Sequence, residues 1–278
     1  MTSRASWVKV MIQDPHGAFE RLRGEWDRRQ DRKAWKRIGM PPHEFYRASP
    51  DAEQQLHAFL GIPWPCPEHA TCAPIIEQMN REFALGKEFA TNANTEVSRL
   101  RFFDADLTLS RVAWCVARHL TPERIVETGV ARGVTTRFLL EAIKSNGSGA
   151  LWSVDLPHRD TCQTGQIGSA VPDSLRGPWK LLLGPSRRCL PELLRTLDRI
   201  DIFVHDSLHT ARNVRFELDY VWDRIRPSGV ILVDDVNENL AFHSFVQARQ
   251  SSAWVVGRRG LGGGLWGAIV KGKSTACG

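Results

Sequence analysis

Three aspartates and a histidine stand just past the ends of two apolar runs. Asp206 and His209 follow Asp201–Val204, and Asp234 and Asp235 follow Val230–Val233. Short apolar runs that end on acids read as buried strands with their polar groups at the carboxyl ends. If the two strands are neighbours, the three carboxylates meet at one sheet edge. Like charges brought that close repel unless something compensates. A hard divalent cation is the simplest compensation, and an all-oxygen donor set points to magnesium, with manganese or calcium as substitutes. The competing reading has Asp234 capping a helix and Asp206 accepting backbone amides. His209 lies three residues beyond Asp206. With a helix starting near Ser207, it falls about one turn on, where it would act as general base toward a hydroxyl acidified by the metal. A zinc pair of His205 and His209 is a further option, but no third nitrogen or sulfur ligand stands beside it.

A second constellation precedes this one. Arg124–Glu127 is a short apolar run ending on an acid, and Gly129 and Gly133 bracket a turn. Val134–Ile143 continues with helical spacing, and Leu151–Val154 ends on Asp155. That order predicts strand, glycine turn, helix and strand, with a ligand at the carboxyl ends of the strands. A dinucleotide fingerprint would read GxGxxG and aim at a pyrophosphate. The spacing here is ExGxxxG instead. It suits a ligand with an ammonium and a ribose but no phosphate, because the glycines admit close backbone approach and Asp155 can take two ribose hydroxyls. S-adenosylmethionine meets that description, with Glu127, Thr128, Gly129, Gly133, Asp155 and Asp206 as expected contacts. The plainer alternative is a βαβ turn of another doubly wound protein, whose acids only cap helices.

The remaining segments supply the frame. Asp106–His119 is amphipathic and leads into the first strand. Beyond Asp155, His158–Pro178 is a long aperiodic loop of the kind that is usually functional. Trp179–Leu183, Asp201–Val204 and Val230–Val233 read as strands, with helices over Glu192–Leu197 and Thr210–Arg226 between them. Trp254–Gly257 and Leu265–Val270 read as an antiparallel hairpin. The chain therefore predicts an α/β fold, a doubly wound, Rossmann-like sheet of seven strands, mostly parallel, closed by an antiparallel C-terminal hairpin. That domain spans residues 104–278. Residues 1–103 read as a helical extension serving as lid or oligomer contact. Its helix over Ala18–Arg37 has Phe19, Leu22, Trp26 and Trp35 as candidate anchors, and further helices are expected over Ile75–Leu85 and Glu96–Phe103.

Composition narrows the partners. The 278 residues carry a net charge of +6. Ten Lys/Arg against five acids in residues 1–40 account for five of those six charges, so the sheet domain is nearly neutral. Without aromatic-rich binding motifs or a second basic stripe, nucleic acid is not expected as a partner, and the charged helix reads as a solvated face. No run reaches membrane-span length and the N-terminus lacks a signal-peptide core, so the expectation is a cytoplasmic protein with no membrane partner. Cys66, His69 and Cys72 are spaced like a metal knuckle. No second pair follows, and a loop with free thiols is the preferred reading.

The blocks ETGVARGVTT, SVDLP, LLLGPS, IDIFVHDSLHT and GVILVDDV resemble class I S-adenosylmethionine-dependent methyltransferases. They are closest to the branch holding metal-dependent macrolide-sugar O-methyltransferases and cephalosporin-hydroxylase-like proteins, and the resemblance covers about residues 104–270. It implies magnesium held by Asp206, Asp234 and Asp235, with His209 as general base. It also implies cofactor contacts from Glu127, Gly129 and Asp155, with Ser186 beside the adenine. The first acid of the strand-five pair is often glutamate in that branch and is aspartate here. The implied activity is O-methylation of a small-molecule hydroxyl of sugar or natural-product type. Other S-adenosylmethionine chemistry and a non-catalytic binding module are the rival readings. The implied partners are that small-molecule acceptor and a second copy of the chain through the extension.

Overall fold

The computed structural model describes residues 15–89, 107–156, 167–257 and 264–272. The helix expected over Glu96–Phe103 and the first part of the His158–Pro178 loop lie outside the described residues. The extension contains α1 (Pro15–Ile38), α2 (Pro42–Tyr46), α3 (Ala52–Leu60), α4 (Glu68–Thr71) and α5 (Ala73–Phe89). After it come α6 (Leu107–Leu120), β1 (Arg124–Thr128), α7 (Val134–Asn146), β2 (Ala150–Asp155) and β3 (Trp179–Leu183). The chain continues through α8 (Ser186–Thr196), β4 (Ile200–His205), α9 (Ala211–Trp222), β5 (Ile225–Val233), α10 (Ala241–Arg249), β6 (Ser252–Gly257) and β7 (Leu265–Val270).

The seven strands form one sheet in the order β3-β2-β1-β4-β5-β7-β6. Strands β1 to β5 are parallel, and β7 runs antiparallel to both β5 and β6. The expected mostly parallel sheet with its antiparallel hairpin is present. Successive strand residues serve opposite faces, as the period of two requires. Ile125, Ile202 and Leu232 join the core under α6 and α7, whereas Val126, Phe203 and Ile231 join the core under α8, α9 and α10. The strand order reverses between β1 and β4. In open α/β sheets the region beyond the strand carboxyl ends at such a reversal is where ligands bind. No described helix is long and apolar enough to cross a membrane.

Several boundaries depart from the sequence reading, each for a local reason. The helix expected over Thr210–Arg226 stops at Trp222, and Ile225 already pairs with Ile200 as the first residue of β5. The pairing then jumps to Ile202 with Val230, leaving Pro227-Ser228-Gly229 as a bulge with Ser228 at φ 60°. Lys271 Nζ donates to the carbonyls of Trp222 and Ile225 at 2.7 and 2.9 Å, which satisfies the helix end from a distant strand. Helix α8 begins at Ser186, ahead of the expected Glu192, and keeps Pro191 in its second turn because Cys189, Leu190, Leu193 and Leu194 bury one side of it. The largest departure concerns α1. Of the four expected anchors, Trp35 packs against the core, but Phe19, Leu22 and Trp26 are exposed, while Ala18, Gly24 and Asp27 are buried. The helix turns a polar face inward because that face meets the positive start of α9. Asp31 Oδ2 accepts the Ala211 N–H at 3.1 Å, and Asp27 lies 3.9 Å from Arg212.

Candidate active site

The glycine turn forms where three strand ends crowd together. The Asp206 N–H donates to the Thr128 carbonyl and the Gly129 N–H to the Val154 carbonyl, each at 2.8 Å. Gly129 therefore sits against β4 with φ +85°, and a Cβ there would collide with the Asp206 carbonyl. Gly133, at φ +87°, starts α7, and a Cβ on it would press on Gly168. Both positions demand glycine for conformation and for space. Asp155 clamps the turn from β2: its Oδ2 accepts the Val130 and Ala131 N–H groups at 3.1 and 2.9 Å.

Glu127 is fully buried beneath this turn. Its Oε2 accepts hydrogen bonds from Thr136 Oγ1 at 2.8 Å and Ser153 Oγ at 2.7 Å, while its buried Oε1 has no partner. Burial pushes the Glu127 carboxyl up to about 7, the Asp155 charge adds to the rise, and the two hydroxyls oppose it. A carboxyl oxygen without a donor, beneath a cradle that a Cβ would fill, fits a cationic or donor-bearing ligand. Stability follows the same carboxyl. Because its folded pKa lies above the unfolded value, its contribution is fully present below about pH 4.5 and is lost as pH rises to about 7. The loss amounts to about 3 kcal/mol at 1.36 kcal/mol for each pH step. Glu127→Gln is expected to flatten the fall in melting temperature between pH 5 and 8. A variant that tracks the parent over that range would show that the acid is already ionised in the fold.

The carboxylate constellation assembles because β4 and β5 are neighbours, with His205 opposite Val233. Donor atoms of Asp206, His209 and Asp234 lie within 4.8 Å of one another. Asp234 is buried, and Asp206, His209 and Asp235 keep side-chain exposures of 35%, 22% and 29%. His209 does not ride on a helix, since α9 starts only at Ala211. It sits in the β4–α9 loop, with Nε2 3.5 Å from Asp206 Oδ1 and Nδ1 3.5 Å from Asp235 Oδ2. Asp235 thus faces the far nitrogen of the imidazole, while Asp206 and Asp234 face each other. Burial and then the Asp234 charge hold the Asp206 carboxyl well above the ordinary carboxylate range. Burial alone would lower His209. The hydrogen bond to Asp206 and the charges of Asp206, Asp235 and Asp234 outweigh it and raise the imidazole to about 9. A carboxyl pair this strained by its own charge fits a small divalent cation, with oxygen donors from Asp206 and Asp234 and Asp235 nearby.

Two expected residues lie elsewhere in the local network. Thr128 Oγ1 is fully buried and donates to Glu217 Oε2 at 2.5 Å, and Ser186 Oγ donates to Asn213 Oδ1 at 3.3 Å. Both belong to a cluster around Glu217 that sequence reasoning missed. Glu217 also accepts from His205 Nδ1 at 2.7 Å, Ser207 Oγ at 2.8 Å and Asn213 Nδ2 at 2.9 Å. Burial pushes this carboxyl up, but the His205 charge and the hydrogen bonds around it prevail and hold it at about 2. The signal was a charged residue at helical spacing from Val214, Leu218 and Val221, on the inward side of α9. The extension closes the other flank: Leu208 packs on Gly24 of α1, and Trp35 Nε1 donates to the Glu238 carbonyl at 3.1 Å.

Residues 126–236, from β1 to the turn after β5, match a family model described as a methyltransferase domain. The limits of that match enclose every residue of both constellations. No curated protein matches the sequence. Among solved structures, an O-methyltransferase from Bacillus cereus in complex with SAH is 16% identical with TM-score 0.49, covering 71% of this chain and 91% of that one. The O-methyltransferase TomG from Streptomyces achromogenes, involved in tomaymycin synthesis and bound to SAM, is 19% identical with TM-score 0.48, covering 68% and 96%. The SAH-bound methyltransferase PaMTH1 from Podospora anserina is 13% identical with TM-score 0.48, covering 80% and 97%.

Proposed function

We propose that the methyltransferase domain moves a methyl group from S-adenosylmethionine to a hydroxyl of a small molecule of sugar or natural-product type, assisted by magnesium at Asp206, Asp234 and Asp235. The observation that carries this reading is adjacency. Gly129, the tightest point of the donor turn, abuts the backbone of Asp206, the first residue of the carboxylate cluster. A donor above the turn and an acceptor above the carboxylates would share one cleft.

The bound donor would supply an electrophilic methyl on a sulfonium. A bound magnesium ion would lower the pKa of the acceptor hydroxyl and offset the carboxylate charge that raises His209. The chain's own groups do the rest. Glu127 Oε1 awaits a donor beneath the turn, Asp155 and the Gly129–Gly133 backbone orient the ribose side, and His209 takes the hydroxyl proton. Helix α1 and the β4–α9 loop wall the acceptor side and exclude water. Rate enhancement would come mainly from positioning and from stabilising the developing alkoxide.

Calorimetric titration of S-adenosylmethionine into the protein, first with magnesium and then with EDTA, tests both halves. Binding is expected in both conditions, with methyl transfer to a model polyol or phenol lost in EDTA. Absence of binding in either condition would remove the donor site. Full transfer in EDTA would remove the metal.

A further inference from the structure

A second set of donors lies outside the cleft, where the extension meets the sheet domain. Donor atoms of His57 on α3, Cys66 in the turn before α4 and Cys115 on α6 all lie within 4.8 Å of one another. The three residues are 0%, 3% and 0% exposed. His57 Nδ1 lies 2.8 Å from the Glu53 carbonyl and donates to it. That bond fixes the tautomer and leaves Nε2 with its lone pair, buried and without a hydrogen-bond partner. Burial also lowers the His57 pKa, so the ring is neutral. His119 stands one helical turn after Cys115 on α6; its Nε2 is 3.6 Å from Cys66 Sγ, outside the 4.8 Å group of the other three donors. Cys115 in turn hydrogen-bonds Cys66, and both thiols are free.

We propose that His57, Cys66, Cys115 and His119 form a closed, structural zinc site that clips the extension to α6. Two thiolates and two imidazoles are a common tetrahedral zinc set. With zinc–sulfur near 2.3 Å and zinc–nitrogen near 2.0 Å, tetrahedral donors stand about 3.5 Å apart. The Cys66–His119 separation of 3.6 Å is one such edge. Zinc binding releases the two thiol protons, so Zn2+ and two thiolates leave no net charge in an apolar core. Three of the four donors are already grouped, and a turn of the His119 ring toward them would fill the coordination sphere, which assigns the ion to folding and not to catalysis. The sequence spacing suggests a knuckle of Cys66, His69 and Cys72, for which a loop with free thiols is the preferred reading. The fold separates these: Cys72 Sγ donates to the His69 carbonyl at 3.1 Å, and His69 Nε2 faces Glu53 at 3.3 Å. A second grouping of Glu53, His57 and His69 shares His57, but it lacks sulfur and would compete for the same ring.

The test is elemental analysis of the full chain purified without chelator, followed by cobalt substitution. One zinc per chain is expected. The cobalt form should show a thiolate-to-metal absorption in the near ultraviolet together with the intense visible bands of a tetrahedral site. That signature separates this centre from any ion held by the aspartates. Cys66→Ser with Cys115→Ser should lose the zinc and lower the melting temperature. If that variant does not fold, the cobalt spectrum of the parent chain decides. Protein without zinc that takes up none, a Cys66–Cys115 disulfide in peptide mapping, or zinc retained by the double variant would each overturn the proposal.

Discussion

His209→Ala is expected to lower turnover about 10²–10⁴-fold, the usual contribution of a positioned general base, and to leave S-adenosylmethionine affinity within about twofold. The split follows from where the residue sits. The carboxylates that face the imidazole are Asp206, Asp235 and Asp234, whereas the donor turn is built by Glu127, Asp155, Gly129 and Gly133, so the donor half should survive its removal. The loop backbone is held independently, since Asn239 Nδ2 donates to the His209 carbonyl at 3.3 Å, a bond alanine keeps. What is lost is a nitrogen base flanked by Asp206 and Asp235. In cation-free protein the same variant has a pH signature. The raised His209 pKa stabilises the fold below about pH 6.5, and that contribution disappears as pH rises through about 9. Melting of parent and variant in EDTA should therefore converge above pH 9. Single-turnover and binding measurements on the two proteins decide the role: an unchanged rate would sink the base assignment.

How much of this was readable beforehand depends on whether the signal is local. The glycine turn, the strand ends at Glu127, Asp155 and Asp206, and the paired aspartates after β5 are short-range patterns, and each falls within a residue or so of its expected place. The orientation of α1 was not readable. Apolar residues usually mark the buried face of a helix, yet here Asp27 and Asp31 turn inward because the N-terminus of α9 offers unsatisfied amides and Arg212. The end of α9 was hidden for a related reason. Ile225 continues the helical spacing of Val221 and Trp222, and only pairing with Ile200 and the reach of Lys271 make it a strand residue. Donor sets assembled across long loops, such as Cys66 with Cys115 and Glu217 with Thr128, carry no spacing to read.

Glu217→Ala is expected to cost about 3–5 kcal/mol of stability, since each buried donor left without its acceptor costs about 1–3 kcal/mol. Glu217 and His205 are both 0% exposed, so no water can replace the lost acceptor. The carboxylate also holds donors from four places: Thr128 at the end of β1, His205 at the end of β4, Ser207 in the following loop and Asn213 on α9. Alanine would leave all four pointing into a cavity. The pH dependence identifies the cause. A carboxyl held at about 2 contributes stability above its unfolded value near 4.5 and loses it as pH falls toward 2. Chemical denaturation should therefore show the full deficit at pH 7 and a much smaller one at pH 3. A deficit below about 1 kcal/mol at pH 7 would mean that the donors find water or each other, as a surface network does. The same bonds reach the reacting groups, because Ser207 lies between Asp206 and the loop that carries His209. Where the variant remains folded, it should lose transfer activity beyond its loss of folded protein. The acid that looks like a misplaced charge on an apolar helix face is, on this account, what holds the carboxylate cluster in register with the glycine turn.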